Sequence, residues 1–230
     1  MRKIGLIGGM SWISTEQYYR IINQQVTRKV GGVASAPLLI ESLDFSEIAR
    51  SVTDEDWSRV SSVLIGAARR LADAGAEGLA ICANSVHRIY DDIAGAVNVP
   101  VLHIADCVGQ RMTADGVKSA ALLGTRNVMS ERWYRQRLVK HGVTLTPPDL
   151  ARADAIDKIV YEELIFGKPN RIAERTMKSF IAEIDQQGAD AVILGSTELS
   201  MVVDVRANIL PIYDSGQVHA EAIADWILAE

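Results

Sequence analysis

Two textures alternate along the chain. Short, almost wholly apolar runs are KIGLIG (3–8), PLLIES (37–42), GLAIC (78–82), VPVLHI (99–104), SAALLG (119–124), VTLTPP (143–148), AVILG (191–195) and LPIYD (210–214). Between them lie longer segments whose apolar residues recur at helical spacing: 14–29, 57–74, 86–97, a start at 106–114, 130–141, 154–166, 170–187 and 217–229. The short runs read as strands and the long ones as helices. Ser14 is placed to cap the first helix, with Gln17 as its capping-box partner, and Gly75 stops the helix that precedes it. The charge-rich tract 47–59 reads as a solvated loop and a helix start. Strands that are apolar throughout, each followed by a helix, imply parallel sheets covered on both faces.

The pattern runs through once and then restarts. GAEGLAICANS (75–85) and GADAVILGSTE (188–198) overlay without a gap, pairing Gly75 with Gly188, Cys82 with Gly195, Ala83 with Ser196 and Asn84 with Thr197. KIGLIG likewise resembles SAALLG, and VPVLHI resembles LPIYD. The expected fold is therefore two similar parallel-sheet α/β halves related by a pseudo-twofold, with a ligand cleft between them. The first half takes 1–105 plus 215–230, the last helix packing back on it, and the second takes 106–214. Ligands of open parallel sheets bind beyond the carboxyl ends of the strands. Attention falls on Gly9, Met10 and Ser11, on Ala83, Asn84 and Ser85, on Thr125, Arg126 and Asn127, and on Ser196, Thr197 and Glu198.

Composition narrows the classes. Of 230 residues, 48% are apolar and 23% charged, with a net charge of −5, as in ordinary globular proteins. Lys and Arg form no basic stripe, which argues against nucleic acid. No apolar run reaches the length of a membrane span, and the N-terminus lacks the long apolar core and cleavage site of a secretion signal. Two cysteines, Cys82 and Cys107, make no disulfide framework and point to a reducing cytoplasm.

Several motifs carry little chemistry when weighed. GLIGGM has G-x-x-G-G spacing rather than G-x-G-x-x-G, and no acidic residue follows about twenty positions on, so a dinucleotide is disfavoured. A tight turn that exposes backbone amides is the better reading. HIADC (103–107) lacks the further ligands that a metal needs. His87 and His219 could serve as acid or base, although a lone histidine is more often packed. Asn84-Ser85 and Thr197-Glu198 each open a helix, where they can cap it and also hold an anion.

Taken in order, GLIGGMSWIST (5–15), SLDF (42–45), GAEGLAICANSVHR (75–88), LHIAD (102–106), ALLGTRNVM (121–129), YEEL (161–164), GADAVILGSTEL (188–199) and YDSGQVHAEA (213–222) resemble the aspartate/glutamate racemase superfamily over nearly the whole chain. The resemblance implies cofactor-independent racemisation of an amino acid, no cofactor and no metal, and a homodimer. It also implies two cysteines that exchange the Cα proton from opposite faces. A thiol suits this work because its pKa of about 8.5 lies near neutrality. Residues matching Met10, Asn84, Ser85, Thr125 and Thr197 would hold the substrate's carboxylate and ammonium. Arg88, Arg126, Lys168 and Arg50 are candidate cations for an acidic side chain, among which no motif chooses.

The chain departs from the family at the decisive places. The first expected cysteine position is Ala83 and the second is Ser196. Cys82 is adjacent, but successive side chains of a strand face opposite ways, so it should point away if position 83 faces the ligand. Alanine has no proton to move, and serine without a neighbouring base is a poor proton carrier. Three accounts stand: an impaired or engineered inactive racemase, a relative with one-sided chemistry (isomerase or decarboxylase), or a non-catalytic amino-acid or dicarboxylate binding protein.

Overall fold

The computed structural model describes residues 1–53 and 55–229. The chain divides into two compact units. One is Met1–His103 together with the segment from His219 on, and the other is Ile104–Val218.

The first unit contains β1 (Ile4–Gly8), α1 (Trp12–Val30), β2 (Leu38–Ser42), α2 (Phe45–Thr53), α3 (Trp57–Asp73), β3 (Gly78–Ile81), a 3-10 turn (Ser85–Ile89), α4 (Tyr90–Gly95) and β4 (Val101–Leu102). The second contains α5 (Ile104–Ala114), β5 (Ser119–Leu123), α6 (Arg126–Ser130), α7 (Arg132–Lys140), β6 (Thr144–Leu145), α8 (Leu150–Glu162), a 3-10 turn (Leu164–Phe166), α9 (Arg171–Gln186), β7 (Val192–Leu194), a 3-10 turn (Thr197–Met201) and β8 (Ile212–Asp214). The last helix, α10 (Ser215–Leu228), starts in the second unit and lies mostly in the first.

Each unit is built on one four-stranded parallel sheet. The orders are β2-β1-β3-β4 and β6-β5-β7-β8, which is the same order written twice. Matching hydrogen bonds recur in the two units. Leu79 N donates to Pro100 O and Val192 N to Pro211 O. Ala76 N donates to Leu71 O and Ala189 N to Ile184 O. The glycines before these alanines, Gly75 (φ 90°) and Gly188 (φ 80°), both adopt the left-handed backbone that ends a helix.

Strand alternation sorts the first core into two layers. Ile4, Leu6, Ala80 and Cys82 pack with Tyr18, Ile22 and Val26 of α1 and with Ala220, Ile223 and Ile227 of α10. Ile7, Leu79, Ile81 and Ala83 pack instead with Val60, Leu64 and Leu71 of α3. The sheet is thus covered on both faces, which is why its strands read as unbroken apolar runs.

Several local readings are corrected. The cap of α1 is Ser11, whose Oγ accepts from Ser14 N at 3.3 Å, and not Ser14. Ser14 lies inside the helix and donates to Cys82 O at 2.9 Å. The tract 47–59 is not a loop at its start, because α2 seats Phe45, Ile48 and Val52 on the core; residue 54 lies outside the described residues. The segment 86–97 begins as a 3-10 turn, and 130–141 is preceded by α6, with extended Glu131 as the break. The strand expected at 143–148 shortens to Thr144–Leu145, since Pro147 and Pro148 have no amide to donate.

Candidate active site

In the first unit the site begins where β1 ends. A Cβ on Gly9 would stand 2.2 Å from Leu43 O, and its φ is 88°, so only glycine fits. The Gly9 amide donates to Thr15 Oγ1 at 2.7 Å. It is therefore committed inside the turn and is not displayed to a phosphate, which removes the dinucleotide reading of this glycine pair. Met10 follows, buried, in the same core layer as Ala83.

On the neighbouring strand Cys82 N donates to Ile7 O at 2.9 Å, carrying the strand pairing one residue past β3. Ala83 and Asn84 come next, both buried, and half-buried Ser85 opens the 3-10 turn. Asn84 does not cap that turn with its side chain, which corrects the capping reading. His87 Nδ1 lies 2.7 Å from Ala83 O. A carbonyl only accepts, so the neutral ring carries its proton on Nδ1.

Around His87 stand two further buried histidines. Its ring centroid is 4.6 Å from that of His103 and 5.9 Å from that of His219. The Tyr18 hydroxyl meets His219 Nδ1 at 2.9 Å. Burial, then the nearby charge of His87, pushes the His219 pKa down to about 3, against the opposing Leu102 carbonyl. The His219 ring packs edge-on against Tyr18 and His87. Cys82 is fully buried, and burial pushes its thiol well above the usual range. Its layer is the one opposite Ala83.

The second unit repeats the backbone with different side chains. Gly195 N donates to Leu123 O at 2.6 Å, the counterpart of the Cys82–Ile7 bond. A Cβ on Gly124 would meet Gly195 O at 3.0 Å, so the ends of β5 and β7 press together. This sets Thr125 and Ser196 at the ends of adjacent strands. The Thr125 hydroxyl is buried with no hydrogen-bond partner, an arrangement that costs free energy unless something else supplies one.

Ser196, Thr197 and Glu198 form one buried network. Glu198 Oε2 accepts from Ser196 Oγ at 2.8 Å and from Thr197 Oγ1 at 3.0 Å. Neither Ser196 nor Thr197 is spent on capping the 3-10 turn. Ser196 thus has a carboxylate beside it. Beside it, Asp214 at the end of β8 accepts from Gly216 N at 2.9 Å and Gln217 N at 3.3 Å. Burial pushes Asp214 up to about 6; those two amides and Ser200 oppose the shift, and the charge of Glu198 adds to it. Asp214 escaped the sequence reading, although an acid at a strand end before Ser-Gly is a helix-start signal.

The candidate cations lie further out. Lys168 is exposed, two residues past the Leu164–Phe166 turn, which contacts the Thr197–Met201 turn. Arg126 is exposed and paired with Asp154 at 2.7 Å. Arg88 lies 4.6 Å over the Trp57 ring, and Arg50 is exposed on α2. Cys107 is packed against the second core, with burial raising its pKa to about 12. No group of His, Cys, Asp and Glu among the described residues could hold a metal ion. No helix among them is long and apolar enough to cross a membrane.

The chain matches known proteins over nearly its whole length. It is 39% identical to a provisionally identified Asp/Glu racemase from Yersinia pestis, with 100% of both chains covered and a TM-score of 0.91. It is 30% identical to an aspartate racemase homologue from Pyrococcus horikoshii, again over 100% of both chains, with a TM-score of 0.84. Among curated proteins, a broad-specificity amino-acid racemase of Bacillus subtilis is 25% identical over 98% of each chain. The family model for Asp/Glu/Hydantoin racemases matches residues 7–223, and the chain belongs to that family.

Proposed function

We propose that this protein binds an amino acid, with aspartate and glutamate as first candidates, at the strand-end tips around Ala83 and Ser196. In this reading Met10, Asn84, Ser85, Thr125 and Thr197 hold the substrate, and Lys168 is the candidate cation for its side chain. The parent reaction is cofactor-independent racemisation by proton transfer at Cα, with one proton carrier for each face. Positions 83 and 196 are where those carriers belong. The observation that supports this most is the repeated tip. Equivalent backbone bonds, Cys82 N to Ile7 O and Gly195 N to Leu123 O, place Ala83 and Ser196 at the same point of two like sheets.

With alanine at 83 this chain has no acid or base at the first position, so racemisation is slow or absent. The buried, unpartnered Thr125 hydroxyl beside Ser196 supports retention of a ligand site. Ala83 also favours a second reading, a binding protein for amino acids or dicarboxylates that performs no reaction. A cytoplasmic homodimer belongs to the proposal through the family resemblance.

The test is to install thiols with A83C/S196C and follow both enantiomers of aspartate and glutamate by chiral chromatography. Racemisation that is absent from the parent protein and present in the double variant is the expected result. A folded double variant that binds an amino acid yet inverts none would sink the racemase reading and leave the binding one.

A further inference from the structure

The asymmetry between the two tips has a chemical consequence. At the first, position 83 offers a methyl group, and the nearby ionisable ring of His87 is turned to the Ala83 carbonyl. At the second, Ser196 Oγ donates a buried 2.8 Å hydrogen bond to a carboxylate. Thr197 Oγ1 donates to the same oxygen at 3.0 Å, which fixes the carboxylate's orientation. Two hydroxyl donors on one carboxylate oxygen hold that oxygen in line with Ser196 Oγ. Serine alone is a weak proton carrier; serine with a carboxylate in line is not, because its own proton has somewhere to go.

We infer that Ser196 and Glu198 form a hydroxyl–carboxylate relay that exchanges the Cα proton of a bound amino acid on one face only, with retention of configuration. The inference rests on the amino-acid site proposed above. In the forward step the Cα–H bond breaks and its electron pair passes into the substrate carboxylate as an enolate. Ser196 Oγ takes the proton as its own hydroxyl proton moves to Glu198 Oε2, turning the carboxylate into a carboxylic acid. That acid exchanges its proton with water. The reverse sequence rebuilds the Cα–H bond on the same face, because the same hydroxyl returns the proton. The substrate leaves with a solvent hydrogen and its original handedness. Ser196 is the catalytic residue, and Glu198 acts through it as a positioning and proton-accepting residue.

The experiment is to incubate the full chain in D2O with each enantiomer of aspartate, glutamate, alanine, lysine and arginine. Loss of the Cα proton is read by NMR and handedness by chiral chromatography. The expected result is protein-dependent exchange of one enantiomer of at least one amino acid, with no change in enantiomeric composition. S196A abolishes that exchange. E198Q slows it by about 100-fold, the scale of one general acid–base group. In the E198Q background S196C restores exchange, because a thiol ionises near neutrality without a neighbouring carboxylate. A purely structural Glu198 would not allow that rescue.

Exchange accompanied by inversion in the parent protein overturns the inference. So does an unchanged rate in E198Q, or no exchange with any amino acid tried. If the parent fails to exchange while A83C/S196C racemises, the relay is wrong and the proposed site stands. If the double variant neither binds nor racemises any of them, the site itself is wrong.

Discussion

Cys82 adjoins the first tip in sequence, so replacing it separates packing from chemistry. Its side chain is fully buried between β3, α1 and α10, in the layer that also holds Leu6, Tyr18 and Ile223. Cys82→Ala removes one sulfur from a closed core. The lost transfer energy plus the small cavity left behind cost about 1–2 kcal/mol. The structure assigns this thiol no contact with the layer of Ala83, so amino-acid binding and Cα exchange should stay at the parent level. The thiol itself should be inert. Burial raises its pKa far above neutrality, the thiolate is the reactive form, and alkylation at pH 8 should proceed only after denaturation. Urea unfolding gives the stability loss, calorimetry the binding, and mass spectrometry the extent of alkylation. Binding or exchange abolished in a C82A protein of near-parent stability would refute the packing argument. Rapid alkylation of native Cys82 would refute it too, since either result would place the sulfur in the ligand site.

Two further perturbations test other parts of the structure. Gly9→Ala meets Leu43 O at 2.2 Å, whereas Gly31→Ala has a similar φ of 87° and nothing within 4 Å. The second should cost only its backbone strain of about 1–3 kcal/mol, and the first at least that much again; equal unfolding midpoints would show that the Gly9 turn is not the tight one described. Acid should act on two buried groups in opposite senses. The folded pKa of Asp214 is raised from 3.8 to about 6, so its stabilisation is full below 3.8 and is lost as pH rises through 6, a change of about 3 kcal/mol. The folded pKa of His219 is lowered from 6.5 to about 3, so its stabilisation is full above 6.5 and is lost as pH falls towards 3. D214N keeps an oxygen for the Gly216 amide and should gain stability over the parent at pH 7 relative to pH 4; denaturation curves showing the same difference at both pH values would contradict the assignment.

Much of this architecture was legible from periodicity. The strands of both sheets lie inside apolar runs, and the repeat was visible as GAEGLAICANS over GADAVILGSTE, because parallel strands buried on both faces carry one dense signal each. What escaped detection was set by tertiary partners. Ser11 and Ser14 are equally good caps by type, and only the hydrogen bond from Ser14 to the Cys82 carbonyl decides between them. The helix α2 was hidden because Phe45, Ile48 and Val52 form a narrow apolar stripe inside a charge-rich tract. Glu198 was visible as a tip residue, but its acceptance of two hydroxyl protons depends on side-chain directions that spacing does not encode.

The duplication explains why the chemistry at the tips is free to vary while the fold is not. What each tip requires of the chain is backbone: an amide pairing past the strand end, an abrupt turn and a short 3-10 segment. Cys82 and Gly195 meet the first requirement with the same bond although their side chains have nothing in common. The residue after each, Ala83 or Ser196, takes no part in that bond through its side chain. Ala83 and Ser196 thus present different side chains on the same backbone frame. At the second tip the Ser196 hydroxyl meets Glu198, and at the first His87 Nδ1 meets the Ala83 carbonyl. A proton carrier acting from one side alone can exchange a proton but cannot invert a centre, so exchange without inversion is the signature that would separate the proposed relay from racemisation by two carriers.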